Sequence, residues 1–292
     1  MKVAIFGKVC APENREYIQQ LVDILERHHI SLKFYEPFYQ KIRNDITIKS
    51  EISFFNGNDG LKNKVDFLFS IGGDGTLLDT ITFVQDSGIP ILGINLGRMG
   101  FLSSVSKDQI EVALDQFIQK KYKLDHRTLI RLETQANIFG KLNYALNEFT
   151  VDKKDPFSML KIQAFVNGEL LNSYWADGLI IATPTGSTAY SLSNGGPIIL
   201  PHSQNFVITP IATHNLTVRP IVIPDSSEIR IKVTGRIKEF FVSLDSRSEA
   251  IDASMELNLV KEEFKVNLVQ LESESYFKTI REKLLWGIDL RN

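Results

Sequence analysis

Three stretches of the chain crowd together residue types that could do chemistry. The first, FSIGGDGTLLDT from Phe69 to Thr80, sets Gly72, Gly73, Asp74, Gly75 and Thr76 directly after the apolar run VDFLFSI. Glycines at the end of a buried strand allow positive φ and close backbone approach, and a helix beginning at Thr76 would aim its amides at an anion. Such a loop suits a diphosphate, with Gly72, Gly73, Gly75 and Thr76 as its cradle. Asp74 is the odd residue, because a carboxylate beside phosphates repels them unless a cation or a proton transfer compensates. It fits a base or metal-linked group in a phosphate site, and it equally fits a carboxylate capping the helix after a turn.

The second stretch, WADGLIIATPTGSTAYSLSNGGP from Trp175 to Pro197, gathers Thr183, Thr185, Ser187, Thr188, Tyr190 and Ser191 around Gly186. Uncharged hydroxyl donors suit sugar hydroxyls and phosphate oxygens without demanding a basic surface. A polar β-hairpin, rich in threonine because threonine favours strands, is the other reading. The third stretch, ALNEFTV, interrupts a strand-like run with Asn147 and Glu148. An amide can bond a ribose hydroxyl or a purine edge, and a carboxylate can accept from ribose. Two outward residues on an edge strand would look the same.

Several familiar chemistries are excluded. Lys8 and Lys141 follow glycines but neither continues into the Ser or Thr of a Walker A loop. The first turn, FGKVCAPEN, lacks the GxGxxG of a dinucleotide-binding Rossmann unit, and DHRT is not a protein-kinase HRD loop. Cys10 is the only cysteine, so no intrachain disulfide forms. The five histidines, His28, His29, His126, His202 and His214, show no HxxxH pairing, so no zinc site is expected. A net charge of -2 argues against a nucleic-acid partner bound through its phosphates.

The elements that must position these residues fall into two textures. KVAIFG reads as a first strand and ENREYIQQLVDILERHH as a helix with Ile18, Leu21, Val22 and Leu25 on one face. SLKFYEP, VDFLFSI and PILGINLG read as further strands, TLLDTITFVQDSG as a helix closed by Gly88, and KDQIEVALDQFIQKK as an amphipathic helix. Alternating strands and helices over residues 1–121 predict an α/β domain with a parallel doubly wound sheet. From residue 122 to 272, β-branched and aromatic runs separated by turn residues predict a β-rich domain. Residues 273–292 return to helical spacing, with Tyr276, Phe277, Ile280, Leu284 and Leu285 as an apolar face expected to pack back on the first domain. At 292 residues with 43% hydrophobic and 23% charged, the chain has the composition of a soluble globular protein. No apolar run approaches roughly 18 residues and the N-terminus lacks a signal-peptide core, so a cytoplasmic protein with no membrane partner is expected.

With these residues in view, the chain resembles the NAD kinases, which phosphorylate the adenosine 2'-hydroxyl of NAD. The resemblance rests on GGDGT at 72–76, GINLGRMGFL at 93–102, LNEF at 146–149, DGLIIATPTGSTAYSLSNGGP at 177–197 and HNLTVRPIVIP at 214–224. It implies an α/β first domain and an all-β second domain with the site between them. Asp74 then matches the proton acceptor, with Gly75 beside it at the dinucleotide. Asn147 and Glu148 match a pair that contacts NAD, and Asp177 an acid at the nicotinamide end. Thr185, Thr188, Ala189, Tyr190, Ser191 and Ser193 match the loop that shapes the adenine and ribose pocket. NAD and ATP are the implied substrates, with Mg2+ accompanying ATP, and a homodimer or homotetramer is the implied assembly.

Three positions depart from the family pattern: Trp175 and Asp79 stand where relatives are often basic, and Asp245 is followed by Ser246 rather than glycine. A lipid kinase with a GGDGT loop would be expected to lack PTGSTAYSLSNGGP. A dinucleotide-sensing protein without catalysis would not need Asp74.

Overall fold

The computed structural model describes residues 1–97, 100–103, 105–235 and 237–286. Strand β1 (Lys2–Gly7) leads into helix α1 (Arg15–Arg27), β2 (Ser31–Tyr35), α2 (Glu36–Ile42) and β3 (Ile52–Phe55). There follow β4 (Phe67–Ile71), α3 (Asp74–Val84), β5 (Ile91–Asn95), β6 (Val105–Ser106), α4 (Ile110–Ile118) and β7 (Tyr122–Arg127). Strands β3-β2-β1-β4-β5 lie side by side in that order, every pair parallel.

The sequence dictates this arrangement. β4 (FLFSI) and β5 (ILGIN) are apolar without alternation and buried almost throughout, as strands covered on both faces must be. Val3 and Ile5 of β1 face a core closed by α1 and α4, to which α1 contributes Ile18, Leu21, Val22 and Leu25. Phe6 points the other way and meets Phe83 of α3 at 4.9 Å. Helices therefore cover both faces, and the carboxyl ends of the parallel strands are left for the connecting loops.

The second unit is antiparallel. Its strands are β8 (Ile130–Glu133), β9 (Tyr144–Ala145), β10 (Glu148–Lys153), β11 (Leu160–Val166), β12 (Glu169–Ala176) and β13 (Gly178–Ala182). After the short helix α5 (Tyr190–Ser193) come β14 (Asn205–Ile211), β15 (Ile221–Pro224), β16 (Ile229–Thr234), β17 (Glu239–Leu244), β18 (Arg247–Asp252) and β19 (Leu257–Lys261). They form two six-stranded sheets, β15-β14-β13-β10-β17-β18 and β12-β11-β16-β19-β8-β9. β11 and β16 bury alternate residues, the mark of strands with one face on a core. Ile162, Ala164 and Ile231 from one sheet meet Phe149, Val151, Ile181 and Val242 from the other.

The chain then returns to the first sheet. β20 (Val266–Leu271) pairs parallel with β5 and lies between β5 and β7, and α6 (Tyr276–Leu284) follows. The compact units are 1–126 with 266–292, and 127–265. The limits expected from composition, 121/122 and 272/273, thus fall at either end of β7 and β20, two β-textured runs that complete the α/β sheet. A change of texture marks where strands begin and not which sheet they join. Helix α2 and strand β3 are too short to show a period in the sequence. On α6 only Ile280 of the expected apolar face is buried, whereas Phe277 and Leu285 are exposed; residues 287–292 lie outside the described part. Among the described residues no helix is long and apolar enough to cross a membrane.

Candidate functional site

In the first unit the glycine turn joins β4 to α3. Gly72 has φ +147, and a Cβ there would lie 2.4 Å from Thr76 Oγ1, so only glycine fits. Gly73 and Gly75 have negative φ and open space where a side chain would go. The fold therefore does not require glycine at these two positions, whereas close approach by a ligand would. Helix α3 begins at Asp74, two residues before the start expected from the sequence. Gly73 O takes the N–H groups of Thr76 and Leu77, and among the described residues none takes those of Gly73, Asp74 and Gly75.

Asp74 does not cap its own helix. Its carboxylate reaches the loop after β5, where Oδ2 accepts from Phe101 N at 2.7 Å and Oδ1 from Leu102 N and Ser103 N, each at 3.0 Å. A Cβ on Gly100 would lie 1.8 Å from Asp74 Oδ1. The GINLGRMGFL motif thus supplies two of the three donors that clamp the Asp74 carboxylate, Ser103 following it directly, with Arg98 and Met99 outside the described residues. Asp79, one turn into α3, pairs with Lys8 beyond β1, and Lys41 Nζ donates to Lys8 O at 2.7 Å. The acid at 79 is thereby neutralised, and Lys8 supplies a cation at the strand ends.

In the second unit two distant segments converge on Leu146–Glu148. Residues 146 and 147 carry the chain from β9 in one sheet to β10 in the other, which explains why polar residues interrupt the strand pattern. Asn147 O accepts Thr183 N at 2.8 Å and Leu146 O accepts Thr183 Oγ1. A Cβ on Gly186 would lie 2.0 Å from Asn147 O, so the hydroxyl-rich segment presses directly on this crossover. From the opposite side Asp245, between β17 and β18, takes the N–H groups of Leu146, Asn147 and Glu148 at 2.9, 2.8 and 3.2 Å. Asp245 has φ +53, a backbone conformation that an aspartate tolerates when its side chain is anchored. The sequence marked Asp245 only as a departure from the family pattern and Gly100 only as part of a motif; neither was given a structural role.

The hydroxyl-rich segment is not a hairpin. It forms a 3-10 turn at Gly186–Thr188 and then α5. Thr183, Ser187 and Ser191 are fully buried, and Ser191 Oγ bonds Thr209 Oγ1 at 2.8 Å, so these hydroxyls hold the segment together. Thr185 is buried and accepts from buried Arg127 at 3.1 Å. Tyr190 and Ser193 are exposed, while Thr188 and Ala189 are half-buried. Asn147 and Glu148 are buried. Burial pushes the Glu148 carboxyl up to about 8, helped by the nearby Asp245 carboxyl and opposed by a hydrogen bond from the Tyr190 backbone. Asp177 pairs with Lys153 at 2.8 Å. Burial also raises the Asp152 carboxyl, against a hydrogen bond from Thr150 and with help from Asp177. Trp175 is exposed, with Lys161 Nζ 5.7 Å from its ring centroid.

The pattern of glycines, carboxylates and hydroxyls is matched by two family models, the ATP-NAD kinase N-terminal domain over residues 3–122 and the ATP-NAD kinase C-terminal domain over 146–271. The chain belongs to the NAD kinase family. Curated NAD kinases from Cytophaga hutchinsonii and Flavobacterium psychrophilum are 45% and 46% identical over the full length of both chains. The NAD kinase of Porphyromonas gingivalis is 36% identical over 99% of each. Among solved structures, yeast NADH kinase complexed with NADH superposes with a TM-score of 0.87 at 26% identity, covering 99% of this chain and 89% of that one. An NAD kinase from Archaeoglobus fulgidus in complex with ATP gives 0.74 at 26% identity over 98% and 99%.

Within this family frame, the expected site residues form two groups. Gly72 to Thr76 lie at the β4–α3 turn. Asn147, Glu148, Thr185, Thr188, Ala189 and Tyr190 surround the β9–β10 crossover, with Asp177 at the start of β13. Ser191 and Ser193 belong to the same segment, and the fully buried Ser191 hydroxyl is held by Thr209 inside the unit.

Proposed function

We propose that the chain transfers the γ-phosphoryl group of ATP to the 2'-hydroxyl of the adenosine ribose of NAD, giving NADP. The observation that carries the mechanism is the clamp on Asp74. A carboxylate has about four lone-pair directions. Oδ1 uses two on Leu102 and Ser103, while Oδ2 uses one on Phe101 and keeps room for a hydroxyl donor. The three N–H bonds fix the carboxylate in place, so it need not reorganise when the ribose arrives.

In phosphoryl transfer, positioning and charge neutralisation dominate, and the base need only orient the hydroxyl and accept its proton as the new P–O bond forms. Asp74 performs that step: its Oδ2 takes the 2'-hydroxyl proton while the oxygen attacks phosphorus and the bond to the ADP oxygen breaks. The N–H groups of Gly73, Asp74 and Gly75 are donors for phosphate oxygens, and the open space at Gly73 and Gly75 admits them. Asn147, Glu148, Asp177, Thr185, Thr188, Ala189, Tyr190 and Ser193 bind the dinucleotide, with Ser191 shaping the segment through Thr209. Among the described residues no group of three or more His, Cys, Asp or Glu could hold a metal. Mg2+ would enter with the donor substrate, as MgATP, and offset the phosphate charge. We place the reaction in the cytoplasm, on the apolar patterning of the sequence, and the chain in a homo-oligomer, on the resemblance.

The test is to incubate purified protein with NAD, ATP and magnesium and to follow NADP with an NADP-specific dehydrogenase. NADP formation with 1:1 consumption of ATP is expected. Binding of NAD without NADP formation would contradict the transfer.

A further inference from the structure

Two carboxyls meet at the β9–β10 crossover, and they are dressed unequally. Asp245 has both oxygens turned inward under the crossover, although the residue as a whole is partly exposed, and they receive three backbone N–H bonds. Behind it the Arg247 guanidinium donates to Leu142 O and Tyr144 O and adds positive charge. Glu148 is 9% exposed, and among the described residues its buried Oε2 has no hydrogen-bond partner. The donor that its carboxyl does have is the Tyr190 backbone N–H.

Two carboxylates this close and this buried do not both ionise, because each charge raises the cost of the other. Backbone donors favour the ionised form of the group they serve, so the charge belongs on Asp245 and the proton on Glu148. We propose that Asp245 and Glu148 form an acid pair sharing one proton at neutral pH, Glu148 carrying it, so that Glu148 meets the dinucleotide as a hydrogen-bond donor and not as an anion. This rests on the proposed binding of NAD by the second unit. In that reading the pair has a clear purpose: a neutral Glu148 spares the NAD diphosphate a buried negative charge and can offer it an O–H. Asp245 acts as a positioning residue, holding the crossover and keeping the proton on its neighbour.

The other charged groups on this wall do not reverse the assignment. Burial pushes the Asp245 carboxyl up too, against its three N–H donors and Arg247. The same wall includes Tyr190, whose phenol is pushed up first by burial and then by Asp152, and which also feels Asp177 and Glu148. Asp177 is neutralised by Lys153. None of these gives Glu148 a cation.

The test is NAD binding by calorimetry without ATP from pH 6.5 to 9.5, each protein referred to its own affinity at pH 6.5. The wild type is expected to lose affinity by at least about tenfold as Glu148 ionises. Glu148→Gln, which keeps a donor and cannot ionise, is expected to stay flat. Asp245→Asn, where it folds, moves the loss to lower pH. A flat wild-type profile, or the same loss in Glu148→Gln, would overturn the pair.

If NAD does not bind at any pH, the functional reading fails and the pair is read from unliganded protein. A carboxyl whose folded value is raised above its unfolded value of 4.5 costs stability as pH climbs from about 4.5 to about 8, and nothing further beyond. The stability of the wild type relative to Glu148→Gln is then expected to fall over that window. Parallel curves would overturn the proposal.

Discussion

At the scale of single residues, Asp74 must be both held and available. Three N–H bonds hold the carboxylate in one orientation, which suits a group that accepts a proton only as the hydroxyl loses it to bond formation. Asp74→Asn keeps acceptors for Leu102 and Ser103, so the folded protein is expected to bind NAD while turnover falls at least ~100-fold, the low end of general-base contributions. Gly100→Ala is expected to lower turnover by a similar factor without replacing the base, because a Cβ there displaces the Asp74 carboxylate. Near-normal kcat in Gly100→Ala would show that the clamp is dispensable. The residues of the GGDGT turn were legible in the sequence, but whether Asp74 caps its own helix was not. What turns its carboxylate away from the cap is a loop 27 to 29 residues further on, and no local pattern around Asp74 reports it.

At the scale of elements, the second unit builds its candidate site from a sheet crossover rather than from a strand. Leu146–Glu148 is gripped from one side by Asp245 and from the other by the Thr183–Gly186 turn. Gly186→Ala drives a methyl into the Asn147 carbonyl, and is expected to destabilise the protein by about 1–3 kcal/mol, the usual cost of overpacking, and to raise KM for NAD more than it lowers kcat. Urea denaturation and steady-state kinetics on the variant measure both. An unchanged KM would separate the turn from dinucleotide binding. The six hydroxyls were visible as a cluster, yet Ser187, Thr183 and Ser191 face inward while Tyr190 faces out. Sequence shows residue type and spacing; which hydroxyl the fold consumes depends on Thr209 and Ile199, contributed by later segments.

At the scale of the whole molecule, the first unit is discontinuous in sequence. Val269 and Leu271 of β20 belong to its core, and Leu268 pairs with Ile91 of β5. A chain ending at Lys265 is therefore expected to lose protection of the β4 and β5 amides in hydrogen exchange, while the antiparallel unit, 127–265, keeps its own core. Retained protection in β5 would show that the first sheet closes without its last strand. The alternation of strands and helices and the later β texture made both units legible. The return of β20 was not, because an apolar run such as VNLVQL reads the same in either sheet.

The most direct measurement is NADP formation from NAD and MgATP by the wild type and by folded Asp74→Asn, with NAD binding measured on both. The mechanism predicts NADP from the wild type, binding by both proteins, and a loss of at least ~100-fold in kcat for the variant. Comparable kcat in the two would contradict the assignment of Asp74 as the base.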